Sequence, residues 1–212
     1  LCSKFKRTMT NKLLFLVLLA LCFSGCDMLE THPYDVHITG ERELNNKNIQ
    51  LIENKMQGKK TIRFAMISDT QRWYNSTEDV VKALNARGDI DFVIHGGDQS
   101  DFGVTKEFIW MRDIFNKFQM PYVCLLGNHD CLGTGEDAYR AIYGDPNFAF
   151  TAGNVRFICL NTNAMEYDYS EPVPDFNFIE NELNNLSPEI EKTVFAMHVK
   201  PFEFVFNNNV AK

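Results

Sequence analysis

The chain has 212 residues, of which 45% are hydrophobic and 13% aromatic, and its formal net charge is -7. This composition is typical of one folded domain with a substantial core, and it excludes an intrinsically disordered chain. The first 25 residues carry basic side chains and no acidic ones, so the rest of the chain is more acidic still. An acidic surface repels a phosphate backbone, and we therefore expect no long nucleic acid among the partners.

The first 25 residues have the pattern of a signal peptide. Four basic residues precede the apolar run at residues 13–23, which is too short to span a bilayer comfortably. The run ends in Phe23-Ser-Gly-Cys26, which resembles the lipobox of bacterial lipoproteins, where the signal peptide is cleaved before a cysteine that carries the lipid. We predict a protein of the bacterial cell envelope that is lipidated at Cys26 and held to the membrane by this anchor. An ordinary cleaved signal peptide and a short membrane anchor are the alternatives.

Residues 26–60 are polar and rich in Asn, Lys and Glu. We predict a lipid-anchored tether with a little local structure, namely a short helix at residues 44–52 and a short strand at Val36 and Ile38. The globular domain is predicted to cover residues 61–212.

Three cysteines lie beyond residue 60, an odd number for a disulfide framework. Cys124 and Cys159 stand inside apolar, strand-like runs, where a small buried thiol is the usual role. A Cys124–Cys159 disulfide is the less favoured alternative for an exported protein.

From Thr61 onward the pattern alternates between strands and helices. Such an alternation implies right-handed crossovers and a largely parallel sheet, whose strand carboxyl ends meet at the edge where ligands bind. Ser76 is expected to cap the first of the helices. The predicted strands are residues 62–67, 91–95, 121–126, 155–160 and 193–197, and the predicted helices are residues 76–87 and 104–119.

Polar side chains follow four of these strands at the point where each strand ends. Glycines beside several of them keep backbone bulk away, so the side chains can converge on a small object. One Asp after a strand is commonplace, and the signal lies in the combination. The residues are Asp69 and Gln71 after the first strand, Asp98 and Asp101 after the second, Asn128, His129 and Asp130 after the third, and His198 after the last.

In this order, Asp69, Gly97-Asp98-x-x-Asp101, Gly127-Asn128-His129-Asp130 and His198 resemble the calcineurin-like metallophosphoesterase family. The resemblance runs from Ile62 to the end of the chain, and the Gly-Asn-His-Asp element is its most specific part. It implies an α/β fold in which two mixed sheets form a sandwich flanked by helices (αββα). It also implies two divalent metal ions, drawn from Mn2+, Mg2+, Fe and Zn2+, and hydrolysis of phosphate esters.

The resemblance assigns a role to each polar residue. His129 would donate a hydrogen bond to the phosphoryl or leaving-group oxygen, with Asp101 orienting its imidazole. A water shared by both metals would attack phosphorus. Arg72 and Trp73, directly after the first ligand pair, are weaker candidates for substrate binding, and a solvated cation and a turn-anchoring aromatic are the alternatives for them. The metal ligands implied are Asp69 and Gln71 for the first ion, Asp98 as the bridge, and Asn128 and His198 for the second ion.

The sequence departs from the family pattern at three places. Gln71 stands where the family usually has His, and an amide oxygen suits Mg2+ or Mn2+ better than Zn2+. Phe102 stands where one branch of the family has a phosphate-binding Arg, for which Arg72 is a possible replacement. The family's late Gly-His-x-His element is not found before Lys212, so either the sequence is a fragment, which the interrupted run at residues 202–212 favours, or the site is incomplete.

We therefore predict a metallophosphoesterase that cleaves small phosphate mono- or diesters through a water activated by two metals. The alternative is a degenerate phosphoesterase domain that acts as a surface binding module, weakened by Gln71 and the missing histidines. A third hypothesis is a purely structural surface lipoprotein.

Overall fold

The structure is a computed structural model that describes residues 32–167 and 172–200. The predicted signal peptide, Cys26 and the run at residues 202–212 lie outside the described residues. The described helices are α1 (Leu44–Met56), α2 (Tyr74–Arg87), α3 (Thr105–Phe115), α4 (Gly135–Tyr143) and α5 (Phe176–Asn184), and the strands are β1 (Phe64–Ile67), β2 (Phe92–His95), β3 (Tyr122–Cys124), β4 (Phe148–Ala152), β5 (Val155–Leu160) and β6 (Lys192–Met197).

The described strands form two sheets of three strands each. In the first sheet β1, β2 and β3 are adjacent and parallel, since helices α2 and α3 carry the chain back between them. In the second sheet β5 pairs with β4 in antiparallel and with β6 in parallel orientation. The predicted α/β fold of two sheets with flanking helices is confirmed. Within the described residues the first sheet is parallel rather than mixed.

The two sheets enclose an aromatic core. Successive residues of a strand face opposite sides of its sheet, so Phe92 belongs to the cluster between the sheets whereas Val93 belongs to the cluster on the helix side. Phe150 and Phe157 of the second sheet stack with ring centroids 4.9 Å apart, and Phe92 meets both rings edge to face. Strand β2 is buried on both faces, which explains why the three residues before its last one are all apolar.

Several predicted helix boundaries differ from the observed ones, and helix α1 ends at Met56 rather than at residue 52. Helix α2 begins at Tyr74 rather than after Ser76, because the preceding turn ends with Arg72 in the left-handed region (φ 57°) and the Thr77 backbone N–H already bonds the Trp73 carbonyl. The predicted cap at Ser76 is therefore wrong. Helix α3 ends at Phe115 rather than at Gln119, since the chain tightens there into i→i+3 hydrogen bonds before Pro121.

Part of the segment predicted to be a tether is packed against the domain. Helix α1 buries Ile52 and Met56 completely in the core between the sheets. The side-chain amide of Asn45 accepts a hydrogen bond from the Cys124 backbone N–H and donates one to the Cys124 carbonyl, each at 2.9 Å. Because β3 is an edge strand within the described sheet, this amide takes the place of a neighbouring strand. The short strand predicted at Val36 and Ile38 is not formed.

The three cysteines beyond residue 60 carry free thiols. Cys124 and Cys159 are buried in different clusters, one on the helix side of the first sheet and the other between the sheets. The predicted buried thiols are confirmed, and a Cys124–Cys159 disulfide is not formed. Among the helices within residues 32–167 and 172–200, none is both long and apolar enough to cross a membrane.

Replacing Asn45 tests the importance of the amide that covers the β3 edge. In Asn45→Ala the buried N–H of Cys124 loses its partner, although Tyr139 still donates to the Cys124 carbonyl at 2.6 Å. We expect the free energy of unfolding to fall by about 2–3 kcal/mol in urea denaturation. The matched control is Asn46→Ala, which removes only an exposed bond to Glu43 and should cost less than about 0.5 kcal/mol. Equal losses in the two variants would contradict this role.

Candidate metal centre

The loops after β1 and β2 are joined by backbone hydrogen bonds beyond the ends of the strands. The Asp69 N–H donates to the Gly97 carbonyl at 3.1 Å, and the Gln71 N–H donates to the Asp98 carbonyl at 3.2 Å. Asp69 and Asp98 have φ values of 56° and 62°, a region that residues other than glycine rarely adopt. Strained backbone of this kind concentrates at functional sites, where surrounding bonds hold it in place.

Three predicted ligands come together at this edge of the sheets. Ligand atoms of Asp69, Asp98 and His198 all lie within 4.8 Å of one another. Asp98 is buried, and this burial raises the pKa of its carboxyl group, an effect that the nearby His198 partly offsets. Gln71 lies next to them, with its Nε2 atom 3.3 Å from Asp98 Oδ2.

The hydrogen bonds of His198 show what its second nitrogen faces. His198 Nδ1 lies 2.8 Å from the Gly96 carbonyl, which accepts only, so Nδ1 carries the proton. His198 Nε2 faces two oxygens, since it lies 2.9 Å from Asn128 Oδ1 and 3.5 Å from Asp98 Oδ1. A divalent cation is a species that binds one imidazole nitrogen and two oxygens at once.

The Gln71 side chain also fits a bound cation. Its Oε1 atom is buried and has no hydrogen-bond partner within the described residues. A buried carbonyl oxygen without a partner is costly, and a hard cation would satisfy it. The donor set of carboxylate, amide and imidazole groups therefore fits divalent metal ions.

Two glycines allow the loops to approach this closely. A Cβ atom at Gly127 would collide with the backbone N and the Oδ1 atom of Asp98. Gly97 has φ 106°, and a Cβ atom there would lie 2.7 Å from His198 Nδ1. Close approach requires glycine at both positions, and the backbone conformation requires it at Gly97 as well.

The buried side chain of Asp130 joins the loops that follow β2 and β3. Its buried carboxylate accepts backbone N–H groups of Asp98, Gln99 and Gly127 at 2.9 Å each and of Ser100 at 2.8 Å. Burial raises the pKa of Asp130 to about 7, and the donated hydrogen bonds act in the opposite direction. The last residue of the Gly-Asn-His-Asp element thus supports the loops and lies beneath the candidate ligands.

The backbone and ring of His129 are both fixed. Its backbone N–H donates to Asp98 Oδ1 at 3.0 Å, and its Nδ1–H donates to the backbone carbonyl of Asp101 at 2.8 Å. The bond to Asp101 raises the pKa of His129, with burial acting against it. His129 Nε2 makes no hydrogen bond within the part of the chain that the structure describes.

The Asp101 carboxylate binds Arg72 rather than His129. Asp101 Oδ1 lies 2.5 Å from Arg72 Nη2 but 3.8 Å from His129 Nδ1. Asp101 therefore orients His129 through its backbone carbonyl, while its carboxylate holds the guanidinium of Arg72. Trp73 is 62% exposed, and together with Asp69 it lines a cavity of about 350 Å3.

Sequence reasoning missed one buried residue beneath the site. His95, the last residue of β2, hydrogen-bonds Thr70 in the first loop and Gly97 in the second. The available signal was an imidazole at the end of an otherwise apolar strand, directly before the Gly-Gly-Asp turn. Every predicted metal ligand lies at the same edge of the fold, and Arg72 and Trp73 lie beside them.

Comparison with known proteins agrees with this geometry. Over 124 residues the chain is 27% identical to a 3′,5′-cyclic-nucleotide phosphodiesterase of Nostoc sp., an alignment that covers 58% of this chain and 46% of that protein. The chain thus spans about half the length of this relative. The purple acid phosphatase PPD1 of yellow lupin seeds shares the fold, with a TM-score of 0.50 and 17% identity over 66% of this chain and 30% of that one. Residues 62–212 match the model of the calcineurin-like phosphoesterases. The chain belongs to the calcineurin-like phosphoesterase family.

Proposed function

We propose that the protein is a metal-dependent hydrolase of phosphate mono- or diesters. The observation that carries this proposal is the cluster of Asp69, Asp98 and His198, whose ligand atoms converge within 4.8 Å. Membership of the calcineurin-like phosphoesterase family supports the same chemistry.

The residues at the strand ends would hold two divalent ions. Asp98 would lie between the ions, with Asp69 and Gln71 on one side of it and Asn128 and His198 on the other. When bound, a pair of such ions supplies a water of lowered pKa as the nucleophile and offsets charge on the phosphoryl oxygens. Gln71 in place of an imidazole favours Mn2+ or Mg2+.

His129 would act on the substrate with its outer nitrogen. The 2.8 Å bond from Nδ1–H to the Asp101 carbonyl fixes the orientation of the ring. The same bond raises the pKa of His129 and so favours a protonated Nε2. A protonated Nε2 donates a hydrogen bond to a phosphoryl or leaving-group oxygen, where negative charge develops as the ester bond breaks.

Arg72 and Trp73 would bind the parts of the ester that surround the reacting phosphorus. Arg72 is tied to Asp101, so its guanidinium is held within reach of the loop that carries His129. Trp73 offers an exposed ring beside the cavity that contains Asp69. Together they suit a small ester that has a phosphate for the guanidinium and an apolar or aromatic group for the indole.

The net charge of the chain and the similarity to the Nostoc protein support a proposal for the substrate class. The net charge of -7 disfavours long nucleic acids. The Nostoc relative is named for cyclic nucleotides, and we place small phosphate esters of this kind first among the substrates of this protein. We also propose that lipidation at Cys26 holds the domain at the bacterial cell envelope, which the lipobox-like residues before Cys26 support.

The second candidate function is a binding module. The observation that favours it is Gln71, because a neutral amide binds metal more weakly than the imidazole usual in the family. Such a domain would hold an anionic ligand or a protein partner at the same loops without turnover.

The first prediction of the proposed function concerns metal-dependent turnover. With Mn2+ or Mg2+ added, the protein should hydrolyse an aryl phosphate monoester or diester, and chelation with EDTA should abolish the reaction. Asp98→Asn should reduce the rate to the uncatalysed background, because the carboxylate proposed to lie between the ions is lost. The control is Asp79→Asn, whose side chain is 76% exposed on α2 and should leave the rate unchanged.

Calorimetry separates the two candidate functions. Mn2+ uptake without turnover on any of the esters would favour the binding module. Absence of both uptake and turnover would contradict the proposal of a metal-dependent hydrolase.

The second prediction concerns His129 and Asp101. His129→Ala should lower kcat about 10²- to 10³-fold without weakening Mn2+ binding, since the ring acts on substrate and is not a ligand. Asp101→Asn should cost much less in kcat and should raise KM instead, because the backbone carbonyl that orients His129 is retained while Arg72 is released. Steady-state kinetics with each variant measure both effects. A loss of kcat in Asp101→Asn as large as that in His129→Ala would show that the carboxylate orients the ring.

A further inference from the structure

His95 is almost completely buried beneath the candidate metal centre. It is the last residue of β2 and is 1% exposed, and its ring packs against that of Phe115 with a centroid distance of 4.9 Å. A buried histidine is commonly a core residue whose ring nitrogens are both hydrogen-bonded. The identity of these hydrogen-bond partners decides whether it has a further role.

The two nitrogens of His95 bond two different loops. The Gly97 backbone N–H donates to Nδ1 at 3.2 Å, so the ring proton lies on Nε2. Nε2–H then donates to Thr70 Oγ1, 2.9 Å away. Burial, with a smaller contribution from His198, lowers the pKa of His95 to about 3, and the ring is therefore neutral and keeps this tautomer.

Both partners of His95 stand next to candidate ligands. Thr70 separates Asp69 from Gln71, and Gly97 directly precedes Asp98. The backbone bonds from Asp69 to Gly97 and from Gln71 to Asp98 cross the same gap. The imidazole adds a side-chain bridge below these bonds, and it is rigid because Phe115 and the strand fix the plane of its ring.

We infer that His95 is a positioning residue that sets the distance between the Asp69–Gln71 loop and the Asp98 loop through Thr70 and Gly97. Its relevance to catalysis rests on the proposed function, whereas its effect on the loops does not. A ligand set that is misplaced by a fraction of an ångström binds its metal more weakly, and outer-shell contacts of metal ligands commonly affect affinity 10- to 100-fold.

Replacing Thr70 tests the bridge with a small change of shape. Thr70→Val removes the acceptor of His95 Nε2–H and preserves the shape of the side chain, and Thr70→Ser keeps the hydroxyl as a matched control. Amide hydrogen exchange in the metal-free protein reports on the bonds donated by Asp69 and Gln71. Amides of β5 serve as the internal reference, because global unfolding accelerates exchange in both sheets.

In Thr70→Val we expect exchange at Asp69 and Gln71 to accelerate about 10-fold relative to β5, and in Thr70→Ser to remain close to native. His95→Phe should reproduce the effect of Thr70→Val. Calorimetric Mn2+ affinity should fall about 10-fold in Thr70→Val and recover in Thr70→Ser.

Native exchange at both amides in Thr70→Val and His95→Phe would overturn the inference and leave His95 as a packed core residue. Accelerated exchange in a protein that takes up no Mn2+ even in its native form would uphold the positioning role of His95 and contradict the proposed function.

Discussion

The candidate metal centre depends on a fold that holds carboxylate, amide and imidazole groups close together at one edge of the sheets. Asp69, Asp98 and His198 present ligand atoms within 4.8 Å of one another, and Asn128 adds an oxygen beside His198. The carboxylates of Asp69 and Asp98 repel each other unless a cation lies between them, and burial already raises the pKa of Asp98. The rest of the fold supplies the rigidity that keeps them close.

That rigidity comes from below the site. Asp130 gathers four backbone N–H groups of two loops, and His95 bridges two loops through its ring. Gly97 and Gly127 leave the space into which Asp98 and His198 fit. Helix α1 stabilises the whole first sheet from its β3 edge through Asn45. The candidate ligands therefore rest on buried polar groups that are each hydrogen-bonded to backbone.

Much of this arrangement could be predicted from the sequence because it is local. Strands alternate with amphipathic helices, and polar residues after glycine-flanked strands indicate the edge where ligands bind. Residues whose role depends on distant contacts were beyond such reasoning. Asn45 looks like part of a polar tether, and only its pairing with Cys124, 79 residues away, shows that it covers an edge strand. The sequence pattern pairs Asp101 with His129, but it does not show that the backbone carbonyl makes this contact and that the carboxylate binds Arg72 of the loop after β1.

Anomalous diffraction from crystals grown with Mn2+ is the most direct test of whether these loops bind divalent metal. We expect two anomalous peaks beside Asp98, one within coordination distance of Asp69 and Gln71 and the other within coordination distance of Asn128 and His198. Anomalous density confined to other parts of the molecule, or none at these loops in Mn2+-saturated crystals, would contradict this expectation.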